Sequence, residues 1–173
     1  MDFFETVRAR QAIRQFTSQP VSDAHLRQIL EAANRAPSAG NLQAYEIYVV
    51  KDAKIRQRLD AASGSQGPVI QAPVVLVFCA EPSRSAAKYA AKGEQLFCIQ
   101  DATIACAYAQ LAATALGLAT VWIGAVHELE VVKEALRLKD GFWPIALLPI
   151  GYPAEAPPLQ SRRALSEIVR ELS

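Results

Sequence analysis

Cysteine, histidine and net charge are all scarce in this sequence of 173 residues, and each scarcity closes off a class of function. The three cysteines, Cys79, Cys98 and Cys106, form no Cys-x-x-Cys pair. The last two stand about 12 Å apart along what reads as one helix, too far for a disulfide, so all three read as buried apolar thiols in a reducing setting. His25 and His127 open separate polar helices with no ligand-like spacing, so no metal site is expected. The 18 basic and 17 acidic residues are mixed along the chain, which leaves no extended field for a polyanion; nucleic acid is not an expected partner. Also absent are Gly-x-Gly-x-x-Gly after a strand, Gly-x-x-x-x-Gly-Lys-Ser/Thr, Gly-x-Ser-x-Gly and His-Glu-x-x-His. Nothing favours a Ser–His–Asp or Cys–His arrangement either, and chemistry here is expected from a bound cofactor. The N-terminal segment MDFFETVRAR has acidic residues and no apolar core, which excludes a secretory signal and points to a cytoplasmic address. The apolar run Ala102 to Val126 invites a membrane reading, but Thr103, Gln110 and Thr114 share one helix side and Gly117 ends the helix; a buried helix is expected, and no membrane partner.

What is present suits a single domain over residues 1–173. With 51% hydrophobic and only 20% charged residues, some apolar surface is expected to be buried between subunits. Helices are predicted for Asp2 to Arg10, for about Ser22 to Arg35 with Ser22 as N-cap, for Ala53 to Ala62, for Leu96 to Leu116 and for Glu128 to Leu136. Strands are predicted at Tyr45 to Lys51, Val74 to Ala80, Ala119 to Ile123 and Ile145 to Ile150. The unbroken apolar run Val74 to Ala80 implies cover on both faces. A Gly/Ser/Gln loop follows Ala62; Glu81 to Glu94 fits neither helix nor strand cleanly. Prolines 153, 157 and 158 mark an extended tail, with a short helix predicted within Leu165 to Leu172. Alternating helices and strands in the last third indicate a mixed rather than all-helical fold. Ala102, Ala105, Ala109 and Ala113 make a small-residue seam on the long helix, where another helix can approach closely. Because its other sides are also mostly apolar, either a partner subunit or the interior of a monomer must cover it.

Three clusters are candidates for ligand contact. In extended form, Arg10 to Arg14 turns Arg10, Ala12 and Arg14 to one side and Ile13 to the core, making a guanidinium fork suited to a phosphate or an anionic ring. Arg35 to Gln43 combines a helix end, Pro37, Gly40 and short polar side chains, a turn able to aim N–H, hydroxyl and amide groups at a ligand. Arg162 and Arg163 follow Pro157 and Pro158 in the tail.

Five segments in order resemble the nitroreductase family: Arg-x-x-Ile-Arg-x-Phe at 10–16, Ala-Pro-Ser-Ala-Gly-Asn-Leu-Gln at 36–43, Gln-Asp-Ala at 100–102, Leu-Gly-Leu-Ala-Thr-Val-Trp-Ile-Gly at 116–124 and Pro-Ile-Gly-Tyr-Pro at 149–153. The resemblance implies an α+β fold with a central, mainly antiparallel sheet flanked by helices, in a domain-swapped homodimer holding two FMN molecules. It implies that Arg10 and Arg14, with the backbone of Gln11 and Ala12, hold the FMN phosphate and pyrimidine edge. Pro37, Ser38, Ala39 and Asn41 would come from the other subunit, with Gln43 in the same motif. Trp122, Ile123 and Gly124 would lie along the flavin, a backbone N–H near N5, and Arg162 would return to the phosphate. The implied activity is a ping-pong hydride transfer from NADH or NADPH, through flavin N5, to nitroaromatic, quinone or related small-molecule acceptors. A guanidinium beside N1 and O2 favours the negative charge of reduced flavin. The sequence departs from the family at Ala12, where a serine is usual, at Gln160, where a lysine is common and Arg163 is a candidate substitute, and at Ala44-Tyr45, where Pro-Trp is usual. Ser83 to Glu94 covers the site in relatives, so Lys88, Tyr89 and Phe97 are candidate lining residues. Alternatives are a specialised flavoenzyme of the same fold, a reductive dehalogenase or a flavin-cleaving synthase, and a non-catalytic flavin-binding dimer. Relatives of the specialised kinds tend to carry extra segments or anchors not evident here.

Overall fold

A computed structural model of the chain describes residues 1–65 and 67–172; Gln66, in the Gly/Ser/Gln loop, lies outside the described residues. Its centre is strand β2 (Val74–Ala80), every residue of which is buried, as a run of seven apolar side chains requires. Strands β1 (Tyr45–Val50), β3 (Ala119–Thr120) and β4 (Trp143–Gly151) complete one antiparallel sheet in the order β1-β2-β4-β3. The sequence places a strand over Ala119 to Ile123, but the regular ladder stops at Thr120. There the N-terminal segment takes over: Ala12 bridges Thr120 in parallel, and the Ile13 N–H donates to the Thr120 carbonyl at 3.0 Å. Ile123 rejoins β4 as an isolated bridge to Leu147, in the same register as the β3 ladder.

Side-chain alternation divides the core into two layers. Val75, Val77, Cys79 and Leu147 face helices α3 (Ala53–Ala62), α4 (Pro68–Gln71) and α7 (Leu129–Leu136). Val74, Leu76, Phe78, Leu148 and Ile150 face α2 (Asp23–Asn34) and α6 (Cys98–Ala115). Burial of each such side chain contributes about 1.5–3 kcal/mol. Helix α1 (Phe3–Ala9) opens with a capping box between Asp2 and Glu5; Ser22 and Asp52 cap α2 and α3 through the N–H groups of His25 and Ile55.

The small-residue seam of α6 is filled within the protomer. Ala105, Ala109 and Ala113 are fully buried in the layer shared with α2 and the sheet, and Ala102 against Ala44 and Ala80. Exposed apolar side chains lie elsewhere: Leu96 and Tyr108 with Phe3, Phe4 and Val7 of α1, the helix that packs on α6, and in the tail Leu159, Leu165, Ile168, Val169 and Leu172. The segment the sequence leaves unclear is helix α5 (Pro82–Lys92), with Pro82 at its first turn, followed by a wide turn over Gly93–Phe97 that runs into α6. Periodicity fails there because Ala90 breaks the helix at φ 48°. A side chain at Gly93 would meet the Ser85 carbonyl oxygen at 2.4 Å, so only glycine lets the two turns touch. Past β4 the tail is extended, with helix α8 confined to Leu165–Ile168. It runs back over the N-terminal segment: Thr17 donates to the Tyr152 carbonyl and Ala154 to that of Gln15, each at 2.9 Å.

Candidate functional site

Ile13 anchors the first cluster. Its side chain is 8% exposed and its N–H is held by Thr120, so its neighbours are turned outward. Glu155, from the tail, accepts the N–H groups of Arg14 (2.5 Å) and Gln15 (3.2 Å). With its amide nitrogen turned toward them, Gln11 donates to the carbonyls of Pro157 and Pro158 at 3.1 and 3.2 Å. These bonds bring the two ends of the chain around one cavity of about 820 Å³, lined by Arg10, Gln11, Ala12 and Arg14 from one end and Gln160 and Arg162 from the other. Among the described residues, no carboxylate forms an ion pair with Arg10, Arg14 or Arg162. Arg8 borders the same cavity, and four guanidiniums gathered there suit an anion carrying two charges. Arg163 is not among the residues lining this cavity: it pairs with Glu167 at 3.1 Å and donates to the Glu167 carbonyl.

The second cluster is a tight loop between α2 and β1. Gly40, Asn41 and Gln43 have φ of 57°, 58° and 50°, left-handed conformations that cost free energy for the two residues with side chains. The Ser38 hydroxyl accepts the Gln43 N–H at 3.0 Å, and the Gln43 amide donates to the Asn41 carbonyl at 3.0 Å. From α6, Asp101, only 2% exposed, accepts the N–H groups of Ala39 (2.9 Å) and Ala44 (3.3 Å) on its two oxygens. From α5, Arg84 donates to the Leu42 carbonyl at 2.5 Å. A Cβ at Gly40 would lie 2.5 Å from the Tyr89 hydroxyl and 2.6 Å from Lys88 Nζ, so α5 lies directly on the loop. A second cavity, of about 480 Å³, is lined by Pro37, Ser38 and Ala39 with Phe97, and Tyr89 stacks edge-on against Phe97 at 5.1 Å. Of the suggested lining residues, Phe97 borders this cavity, and Lys88 and Tyr89 border the loop.

In the Trp122 to Gly124 segment, Trp122 is half-buried against the α2 and α6 layer, and Ile123 is buried in the opposite one. Both backbone groups of Ile123 are bonded to Leu147 (3.0 and 2.9 Å), which leaves Gly124 as the exposed member. The basic cavity and the Pro37 to Gln43 loop line separate cavities of the protomer. Asp101, Glu155 and Arg84 were not assigned roles from sequence; the only signal was Asp101 within the Gln-Asp-Ala segment.

Nucleophilic and metal chemistry find no support among the described residues. Burial pushes the Cys79 thiol up to about 12, the Glu46 charge adding to it, and raises Cys106 further still and Cys98 in the same direction. No group of three or more His, Cys, Asp or Glu is gathered as for a metal ion.

Such an arrangement defines an α+β protein whose site offers a basic cradle and a preformed backbone loop in place of reactive side chains. The comparisons specify the class: the Nitroreductase family profile matches residues 7–71 and 64–152, and the chain belongs to that family. It is 36% identical over 158 residues to an FMN reductase [NAD(P)H] of Bacillus subtilis, covering 83% of this chain and 63% of that protein. It is 32% identical over 173 residues to an oxygen-insensitive NADPH nitroreductase of Salmonella typhimurium, covering 96% and 72%. Among solved structures, nitroreductase A from Vibrio parahaemolyticus superposes with a TM-score of 0.91 at 29% identity, covering 100% of this chain and 77% of that one. The NADPH:FMN oxidoreductase from Vibrio harveyi complexed with NAD+ gives 0.90 at 29%, covering 99% and 77%.

Proposed function

We propose that the chain is a cytoplasmic, FMN-dependent oxidoreductase that draws on NADH or NADPH and reduces nitroaromatic, quinone or similar electron-poor acceptors, as a single domain in a domain-swapped homodimer. The observation that carries this reading is the meeting of Arg10, Arg14 and Arg162, from opposite ends of the chain, around one cavity, with no carboxylate in an ion pair with them among the described residues. The donor set fits FMN: guanidiniums for a phosphate dianion and an anionic ring edge, and backbone from Gln11 and Ala12 where no hydroxyl is present. When bound, the flavin supplies the hydride transfer between nicotinamide and acceptor, and the protein supplies grip, orientation and charge.

In this scheme Arg14 and Arg10 favour negative charge on the bound ring, and Arg162 closes on the phosphate. Pro37, Ser38, Ala39, Asn41 and Gln43 would reach the ring and ribityl chain from a second copy, consistent with the separation of the two cavities within one protomer. Trp122, Ile123 and Gly124 would lie along the flavin, with Gly124 supplying the backbone N–H near N5, since that of Ile123 is engaged. The exposed apolar side chains of α1 and α6, Phe3 and Phe4 at 65% and 68% exposure, support the dimer. The free, buried cysteines accord with a reducing cytoplasm.

Purified protein tests the proposal. A yellow dimer that oxidises NADH or NADPH in the presence of a nitroarene or quinone supports it. A yellow but inert dimer turns the reading toward a flavin carrier, and a colourless protein that FMN does not reconstitute removes both.

A further inference from the structure

We infer that Asp101 and Arg84 are positioning residues for the proposed flavin site: together they clamp the Ser38 to Ala44 loop in its binding conformation before any ligand arrives. The inference rests on the proposed function and adds to it the origin of the loop's shape. Gly40, Asn41 and Gln43 are all left-handed, a backbone path that relaxes unless something outside the loop holds it. Asp101 does so from beneath, one carboxylate oxygen on the N–H of Ala39 and the other on that of Ala44, the two ends of the turn. Arg84 does so from the side, through the carbonyl of Leu42 between them.

Asp101 is only 2% exposed, and no cation pairs with it among the described residues. Its carboxylate is thus committed to the two loop amides. An asparagine of the same shape must turn its NH2 toward one of those N–H groups, opening one end of the loop while preserving packing. Neither residue is assigned a contact with flavin; each acts through the loop.

The test is FMN binding and bound-flavin spectroscopy on the full chain. Asp101→Asn is expected to raise the FMN Kd at least tenfold, to speed amide exchange across residues 39–44, and to change the visible circular dichroism of FMN even at saturation. Arg84→Met is expected to raise Kd about threefold, and Arg84→Lys, which keeps a donor, to recover part of the loss. Arg84 is an exposed side chain, so its variants decide the matter if Asp101→Asn does not fold. Variants that bind FMN within twofold of wild type with an unchanged spectrum overturn the clamp and leave the proposed function standing, even where their melting temperature falls. A wild-type protein that takes up no FMN overturns both.

Discussion

Arg14 is the residue on which the proposed grip can be measured most directly. Charged hydrogen bonds contribute about 1.5–3 kcal/mol each, so Arg14→Ala is expected to weaken FMN retention roughly tenfold to a hundredfold. Equilibrium dialysis reads this out, and unchanged occupancy refutes the role. The cysteines test the opposite expectation. With its thiol raised to about 12, Cys79 is thiolate in roughly one molecule in ten thousand at pH 8, and Cys106 in fewer. A thiol-specific disulfide reagent should therefore leave both unmodified in the native protein and label them promptly in denaturant. At this scale the sequence was informative wherever a residue's chemistry is its role. Arg10 and Arg14 offered a guanidinium fork from their spacing, and the family segments gave that fork and Arg162 an anion to hold. Asp101 did not reveal its role, because a carboxylate's work depends on which N–H groups it meets, and those of Ala39 and Ala44 lie about sixty positions away. Arg163 shows the reverse: its charge was visible, its engagement by Glu167 was not.

Helices and strands with clean periodicity or caps were readable nearly to their ends. Ser22 starts α2, and Val74 to Ala80 is the two-faced central strand. What escaped were elements shaped by contact. The β3 ladder is only two residues long, with Ala12 and Ile13 pairing to Thr120 on its other side, and α4 is a single turn after Gly67 with no period to detect. Helix α5 is the clearest case: its break at Ala90 lets the wide turn at Gly93 lie on Ser85. Gly93→Ala should therefore force the two turns apart and cost about 1–3 kcal/mol, measurable by urea denaturation. Since α5 also carries Arg84, Lys88 and Tyr89, the same change is expected to loosen the Pro37 to Gln43 loop.

For the molecule as a whole, the five ordered family segments implied a mainly antiparallel sheet flanked by helices, but neither they nor periodicity gave the strand order or the division of the core into two layers. They carried the α+β class as well, which alternation of elements alone left open between parallel and antiparallel arrangements. The small-residue seam was legible but its occupant was not: α2 and the sheet fill it, and the face left for a partner is that of Phe3, Phe4, Leu96 and Tyr108. If that face is the dimer interface, Tyr108→Asp should shift the protein toward monomer in sedimentation analysis and lose FMN with it; a flavin-loaded monomer would contradict the shared site. The lacing of the tail over the N-terminal segment has a further consequence for truncation. β4 ends at Gly151, so residues 1–151 contain every strand among the described residues, whereas Glu155, Pro157 and Arg162 lie beyond it. Core and cradle are thereby divided along the chain, and a version truncated after Gly151 should be protease-resistant but flavin-free.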